Sequence, residues 1–274
     1  MTSPVEQASS LYKEGRLAAA IDAATRAVKD SPSDLAARWL LAELLIVGGD
    51  LERADKQLDT LMSLDARAAV NVIPLRHLVR AETARREFFR SASLPDFLAE
   101  GPTKTMALRL ESFVQLRAGD TARASELAEA AEDARPMLPG TIGDRPFSDL
   151  RDLDDVVAGV FEVLTHTGKY YWIPAERVEL LEFTPPATPL DLVWRPVHMV
   201  VRDGFDAQVH MPAIYGVIEG TIDGGDDAAK LGRSTTWIGD PPAPVRGVGQ
   251  RLFVLDGDHE IGVMELSTVT FKVG

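Results

Sequence analysis

The chain has 274 residues, 45% of them hydrophobic and 26% charged, and it contains no cysteine. That balance excludes a largely disordered polypeptide, and the missing thiols exclude disulfides, thiolate metal ligands and a cysteine nucleophile. The formal net charge is -13, a field that disfavours nucleic acid and anionic membranes and favours protein partners.

The charge is uneven. Residues 1–136 carry 18 Lys+Arg against 21 Asp+Glu, whereas residues 137–274 carry 11 against 21, so the halves hold -3 and -10. Met1 to Gln7 offers neither a basic cluster nor an apolar run, so no secretory signal is expected there. No stretch approaches the roughly 20 apolar residues of a membrane span, and a cytoplasmic location is the expectation.

The first half reads as repeated helical hairpins. Ala8, Tyr12, Gly15, Leu17, Ala20, Ala24, Ala27 and Pro32 recur in spacing as Ala42, Leu45, Gly49, Leu51, Ala54, Leu58 and Leu61. A third set is Gly119, Ala124, Ala128, Ala131 and Pro136. Small residues let antiparallel helices approach closely, and Gly15, Gly49 and Gly119 suit left-handed turns between them. The pattern resembles tetratricopeptide repeats, which present a concave surface to peptides. Asn71 to Ala92 reads as one helix, and Leu94 to Thr103 as an insertion.

The run Arg135-Pro136-Met137-Leu138-Pro139-Gly140 breaks the pattern, placing a domain boundary near residue 136. From Phe147 to Thr165, Leu150, Leu153, Val156, Val157, Val160, Phe161 and Leu164 return at helical spacing, so one last helix is predicted. Asp152, Asp154 and Asp155 then fall at its start, where they suit the helix dipole. Strands are predicted for residues 169–173, 178–183, 192–202, 207–211, 234–238, 250–255 and 260–271, with turns at Asp203-Gly204 and Asp256-Gly257. The fold class is therefore α+β: tetratricopeptide-like hairpins over 1–136, then a linking helix and a smaller, mostly antiparallel β domain over 137–274.

Catalytic signatures are missing. There is no phosphate-binding glycine loop, nucleophile elbow or zinc-protease helix, and Gly247 with Gly249 reads as a turn or bulge. The five histidines are scattered, although His198 and His210 would approach each other across a hairpin of the strands that carry them. No metal, cofactor or catalytic residue is assigned.

Four segments carry a resemblance: Gly168-Lys169-Tyr170-Tyr171-Trp172-Ile173-Pro174, Pro189-Leu190-Asp191-Leu192-Val193-Trp194, Pro212-Ala213-Ile214-Tyr215 and Leu231-Gly232-Arg233-Ser234-Thr235-Thr236-Trp237. With the repeats before them and Gly249-Gln250-Arg251 after, they resemble the ImpE family, also called TagJ or SciE-type proteins. Arg202-Asp203-Gly204-Phe205-Asp206 departs from the shorter, glycine-rich turn expected there, and the loop Ile222 to Lys230 is acidic. The resemblance implies a non-catalytic accessory protein of a type VI secretion system. It further implies binding to the N-terminal helix of a TssB-type sheath subunit, alongside the ClpV ATPase.

The expected partner surface combines exposed aromatics with the acidic charge of the second half: Tyr170, Trp172, Trp194, Tyr215 and Trp237. Arg233 is expected to brace a local carboxylate such as Asp191 or to pair with the partner. If the sheath helix binds the repeats instead, its site is expected on the concave helical face around Trp39 and Arg76. Two other readings are a general peptide-binding co-chaperone using the helical concave face, and an enzyme binding a small molecule among Trp172, Trp194, Arg233 and His210.

Overall fold

A computed structural model describes residues 3–91, 93–216 and 226–272. Five helices come first: α1 (Pro4–Lys13), α2 (Leu17–Asp30), α3 (Leu35–Gly48), α4 (Leu51–Leu64) and α5 (Ala69–Ser91). Then come α6 (Lys104–Ala118) and α7 (Thr121–Ala134). Side-chain oxygens of Ser3, Asp34, Asp50, Thr103 and Asp120 accept from free amides at five of the helix starts. The expected turn glycines are all left-handed: Gly15, Gly49 and Gly119 have φ of 82°, 88° and 85°. Ala8, Ala20, Ala42 and Ala54 are fully buried where the hairpins pack.

Strands begin at residue 140. An eight-stranded antiparallel sheet has the order β2-β1-β13-β6-β7-β8-β4-β5. Its members are β1 (Gly140–Ile142), β2 (Arg145–Phe147), β4 (Val160–Leu164), β5 (Tyr170–Pro174), β6 (Val178–Phe183), β7 (Trp194–Val201), β8 (Asp206–Pro212) and β13 (Thr268–Phe271). A three-stranded sheet joins β3 (Leu150–Asp152), β11 (Leu252–Leu255) and β12 (His259–Gly262), and a hairpin pairs β9 (Thr235–Ile238) with β10 (Arg246–Gly249). One more short helix, α8 (Asp227–Lys230), precedes β9.

The predicted helix from Phe147 to Thr165 is not formed. The segment is the end of β2, then β3, a turn and β4. All five residues of β4 are buried: Val160 and Leu164 face the helical core, while Phe161 and Val163 face a second core between the sheets. A strand covered on both faces is apolar throughout, and two such strands joined by a turn imitated a helical period. The predicted run 260–271 divides into β12 and β13, and β1, β2, β3 and β10 had no counterpart in the reading.

The two halves share one core. Phe88 of α5 packs edge-on to Trp172 of β5 at 5.0 Å and stacks on Phe113 of α6 at 4.5 Å. The insertion joins as well: Asp96 bridges the outer edge of β5, donating its amide to the Tyr170 carbonyl at 2.8 Å and accepting from the Trp172 amide at 3.1 Å. That contact covers an otherwise open sheet edge.

Candidate functional site

Where α5 meets the strands, the molecule buries an ion-pair network. Arg85 donates to both carboxylate oxygens of Glu162 on β4, at 2.8 and 3.2 Å, and also to the Ile214 carbonyl at 3.0 Å. Glu162 accepts from Arg251 and, at 2.6 Å, from the Tyr170 hydroxyl, which accepts from the Trp172 indole at 2.6 Å. Glu82 holds Arg86 at 3.0 Å and the Trp194 indole at 3.3 Å. Arg251 lies 3.3 Å from Asp152, whose carboxylate also accepts from the Tyr215 hydroxyl at 2.9 Å. Asp154 sits 3.6 Å from Arg246 and accepts from the Gly247 amide at 3.1 Å.

Burial dominates the ionisation here. It raises the Asp152 carboxyl to about 7, against the pull of Arg251 and with a further push from Asp154, and it lowers Arg251 to about 10. The Tyr170 and Tyr215 hydroxyls are pushed well above the ordinary tyrosine range by the same desolvation. Acids and bases in this joint are one another's partners.

The expected partner residues divide accordingly. Tyr170, Trp172, Trp194 and Tyr215 are 2%, 0%, 4% and 3% exposed, so their rings belong largely to the core, and of the four Trp194 and Tyr215 also line the groove described below. Trp237 is 41% exposed and leans on Tyr215 at 5.9 Å. Arg233 does not brace Asp191, which caps its own turn by accepting from the Ala187 and Thr188 amides. Arg233 instead donates to the Lys13 and Tyr12 carbonyls at 3.2 and 3.4 Å, closing the end of α1. Its guanidinium fills the space beside Gly15, where an added Cβ would stand 2.5 Å from Nη1. Nearby, Asp227 accepts from the Ala18 amide at 3.2 Å, at the start of a helix that has no side-chain cap of its own.

Other expected groupings also change. Asp152 and Asp154 are buried ion-pair partners, not helix caps, because no helix starts there. Register places Gln208 opposite His198 and Pro196 opposite His210, so the two histidines are diagonal neighbours on one face with different partners: His198 binds Asp206 at 2.5 Å, and His210 packs edge-on to His166. Burial lowers His210 to about 4. Of the residues grouped for a small-molecule site, Trp172 and Trp194 are buried in one core cluster, Arg233 reaches the end of α1 and His210 packs on His166. Gly247 lies within β10 because the Tyr215 ring occupies the place of a side chain. Asp203, at the departure from the expected turn, takes a left-handed φ of 52° in the β7–β8 hairpin. The acidic loop 222–230 lies in part outside the described residues.

A groove of about 1270 Å³ opens above the joint. The end of α3, the start of α4 and one face of α5 form one wall, while Val193, Trp194 and Ile214 to Gly216 line the other. Arg76 stands in it, fixed by Asp55 at 2.7 and 2.8 Å and by Asp59 at 2.8 Å. Arg76 is the residue expected at the alternative site on the repeats, whereas the joint below it has no counterpart among the sequence expectations. A lone acid in the apolar run Val160-Phe161-Glu162-Val163-Leu164 was the available signal, since buried acids require partners. Among the described residues, no group of His, Cys, Asp and Glu is arranged to hold a metal ion, and no helix is long and apolar enough to cross a membrane.

Comparison with known proteins agrees with this architecture. The ImpE protein family model matches residues 144–270, and a tetratricopeptide repeat model matches residues 11–72. The type VI secretion system accessory component TagJ of Pseudomonas aeruginosa is 36% identical over 265 residues, which span 97% of this chain and 91% of that protein. The chain belongs to the ImpE family. The crystal structure of protein VPA1032 from Vibrio parahaemolyticus has a TM-score of 0.89 at 29% identity, with 97% of each chain covered. The quoted ImpE-like segments thus acquire physical roles: Tyr170 and Trp172 serve Glu162, and Arg233 fastens the first hairpin to the strand-rich half.

Proposed function

We propose that this protein is a non-catalytic accessory component of a type VI secretion system. In this reading it binds the N-terminal helix of a TssB-type sheath subunit and assists sheath handling with the ClpV ATPase. The observation that carries it is the 36% identity to a type VI secretion accessory component across nearly the whole of both chains. Two features support a binding role: the tetratricopeptide-like hairpins, and a groove whose walls come from both halves. The non-catalytic part is supported by the joint, whose ionisable groups pair with one another, and by the burial of Trp172 and Trp194 in the core.

The groove, whose lining takes in Trp194 and Tyr215 but not Tyr170, Trp172 or Trp237, is the better seat for a helix. Four of those aromatics are in the core, and exposing them would remove partners from Glu162, Glu82 and Asp152. A helix is about 10 Å across and rises about 1.5 Å per residue, so one lying along the groove would meet both of its walls. The test is titration of a labelled TssB-type N-terminal peptide against the whole protein. Saturable binding that a charge reversal at Arg76 weakens supports the reading, and failure to bind the peptide refutes it.

A further inference from the structure

The charge of the groove is opposite to that of the molecule. Seven basic and five acidic side chains line it, a net of +2 in a chain of net -13. All five acids already have cationic partners within 4 Å: Asp50 with Arg53, Glu52 with Lys56, Asp55 with Arg76, Glu82 with Arg85 and Arg86, and Glu87 with Arg90. Arg80 on α5 and Lys230 at the end of α8 have no such partner among the described residues. The surplus positive charge is therefore carried by two cations that nothing in the described fold neutralises.

We infer that the groove selects an amphipathic helix whose apolar face is flanked by carboxylates, and that Arg80 and Lys230 are the residues that read those carboxylates. The inference rests on the groove being the partner site. It reverses the charge expected of the partner from the acidic second half as a whole: that field acts at a distance, whereas contact specificity follows the local surplus. Both cations lie at the surface or partly so, so ordering them against an anion costs less desolvation than a buried pair would. The acids already paired inside the groove would meet a basic flank only by surrendering a partner, so a Lys-flanked helix is disfavoured.

The experiment uses the whole protein and two synthetic peptides, read by fluorescence anisotropy. Both have the same apolar face; one carries Glu at the flanking positions and the other Lys. The Glu peptide should bind at least tenfold more tightly in moderate salt, and the difference should shrink as salt rises. The double substitution R80E/K230E should abolish or invert the preference without changing the circular dichroism spectrum, because neither side chain supports the core. Equal affinities, tighter binding of the Lys peptide, binding of neither, or a preference unmoved by R80E/K230E would overturn the inference. A TssB-type peptide measured in parallel separates the two claims. If it binds in the groove without charge dependence, the sheath reading stands and this inference fails; if it does not bind while the Glu peptide does, the reverse holds.

Discussion

Arg85 of α5 and Glu162 of β4, 77 positions apart, meet through two hydrogen bonds in a site where the arginine side chain is 4% exposed and the glutamate is fully buried. Their pairing fixes the helical stack to the sheet at one point. Glu162 also collects Arg251 and Tyr170, so its loss would leave two guanidinium groups and a hydroxyl without their shared acceptor. Removing one member of such a set should cost about 3–5 kcal/mol. Glu162→Ala is accordingly expected to lower the urea midpoint sharply, with both halves unfolding together. Arg85→Met with Glu162→Leu should cost less than the sum of the two single changes, as a double-mutant cycle would show.

Stability should vary with pH through Asp152. Its carboxyl ionises near 7 in the fold, well above the ordinary aspartate value that the unfolded chain retains. Between those values the folded state holds a proton that the unfolded state has lost. On this group's account, stability is therefore greatest at acid pH and declines as pH rises to about 7, by at most about 1.4 kcal/mol per unit. Asp149 acts in the opposite sense at lower pH: although burial opposes it, hydrogen bonds from Arg135 and the Leu138 amide hold its carboxyl below the usual range. Denaturant titrations of wild type and Asp152→Asn from pH 5 to 8 should give a falling curve for the first and a flatter one for the second.

The clasp between the first hairpin and residues 226–233 makes a local prediction. Gly15→Ala imposes a left-handed conformation on a residue with a Cβ and crowds Arg233, which should cost about 1–2 kcal/mol. Hydrogen exchange should quicken across α1 and the first turn of α2, and much less in α4. Arg233→Ala should produce the same regional pattern. Uniform acceleration through the whole chain would contradict a local clasp.

The tryptophans should separate cleanly. Trp172→Ala removes a fully buried ring and the donor to Tyr170, and should cost about 3–5 kcal/mol. Trp237→Ala, at a half-open position, should leave the unfolding midpoint nearly unchanged. Fluorescence quenching by iodide should be strong for Trp237 and nearly absent for Trp172 and Trp194.

Much of this was legible in the residues. The glycines at 15, 49 and 119 announced the hairpin turns because a left-handed φ is inexpensive only without a Cβ, and Val178 to Phe183 showed a strand with its ends in place. Residues 147–165 were misread because period alone does not separate a buried helix from two strands buried on both faces. The site was harder. An aromatic in a strand has two faces to choose from, and only the tertiary fold reveals that α5 covers the one bearing Tyr170 and Trp172. Arg233 could be given a structural role from sequence, but its partners lie some 220 positions away, beyond the reach of local pattern.

The claim that a sheath-subunit helix lies in the groove is tested most directly by hydrogen exchange of the whole protein with and without a saturating TssB-type N-terminal peptide. The account predicts slowed exchange in the α4 segment 51–56, along α5 from Arg76 to Arg90, and at 214–216, with little change around Trp237 in β9. Protection confined to β9, β10 and the outer face of the sheet, with α5 unaffected, would contradict it.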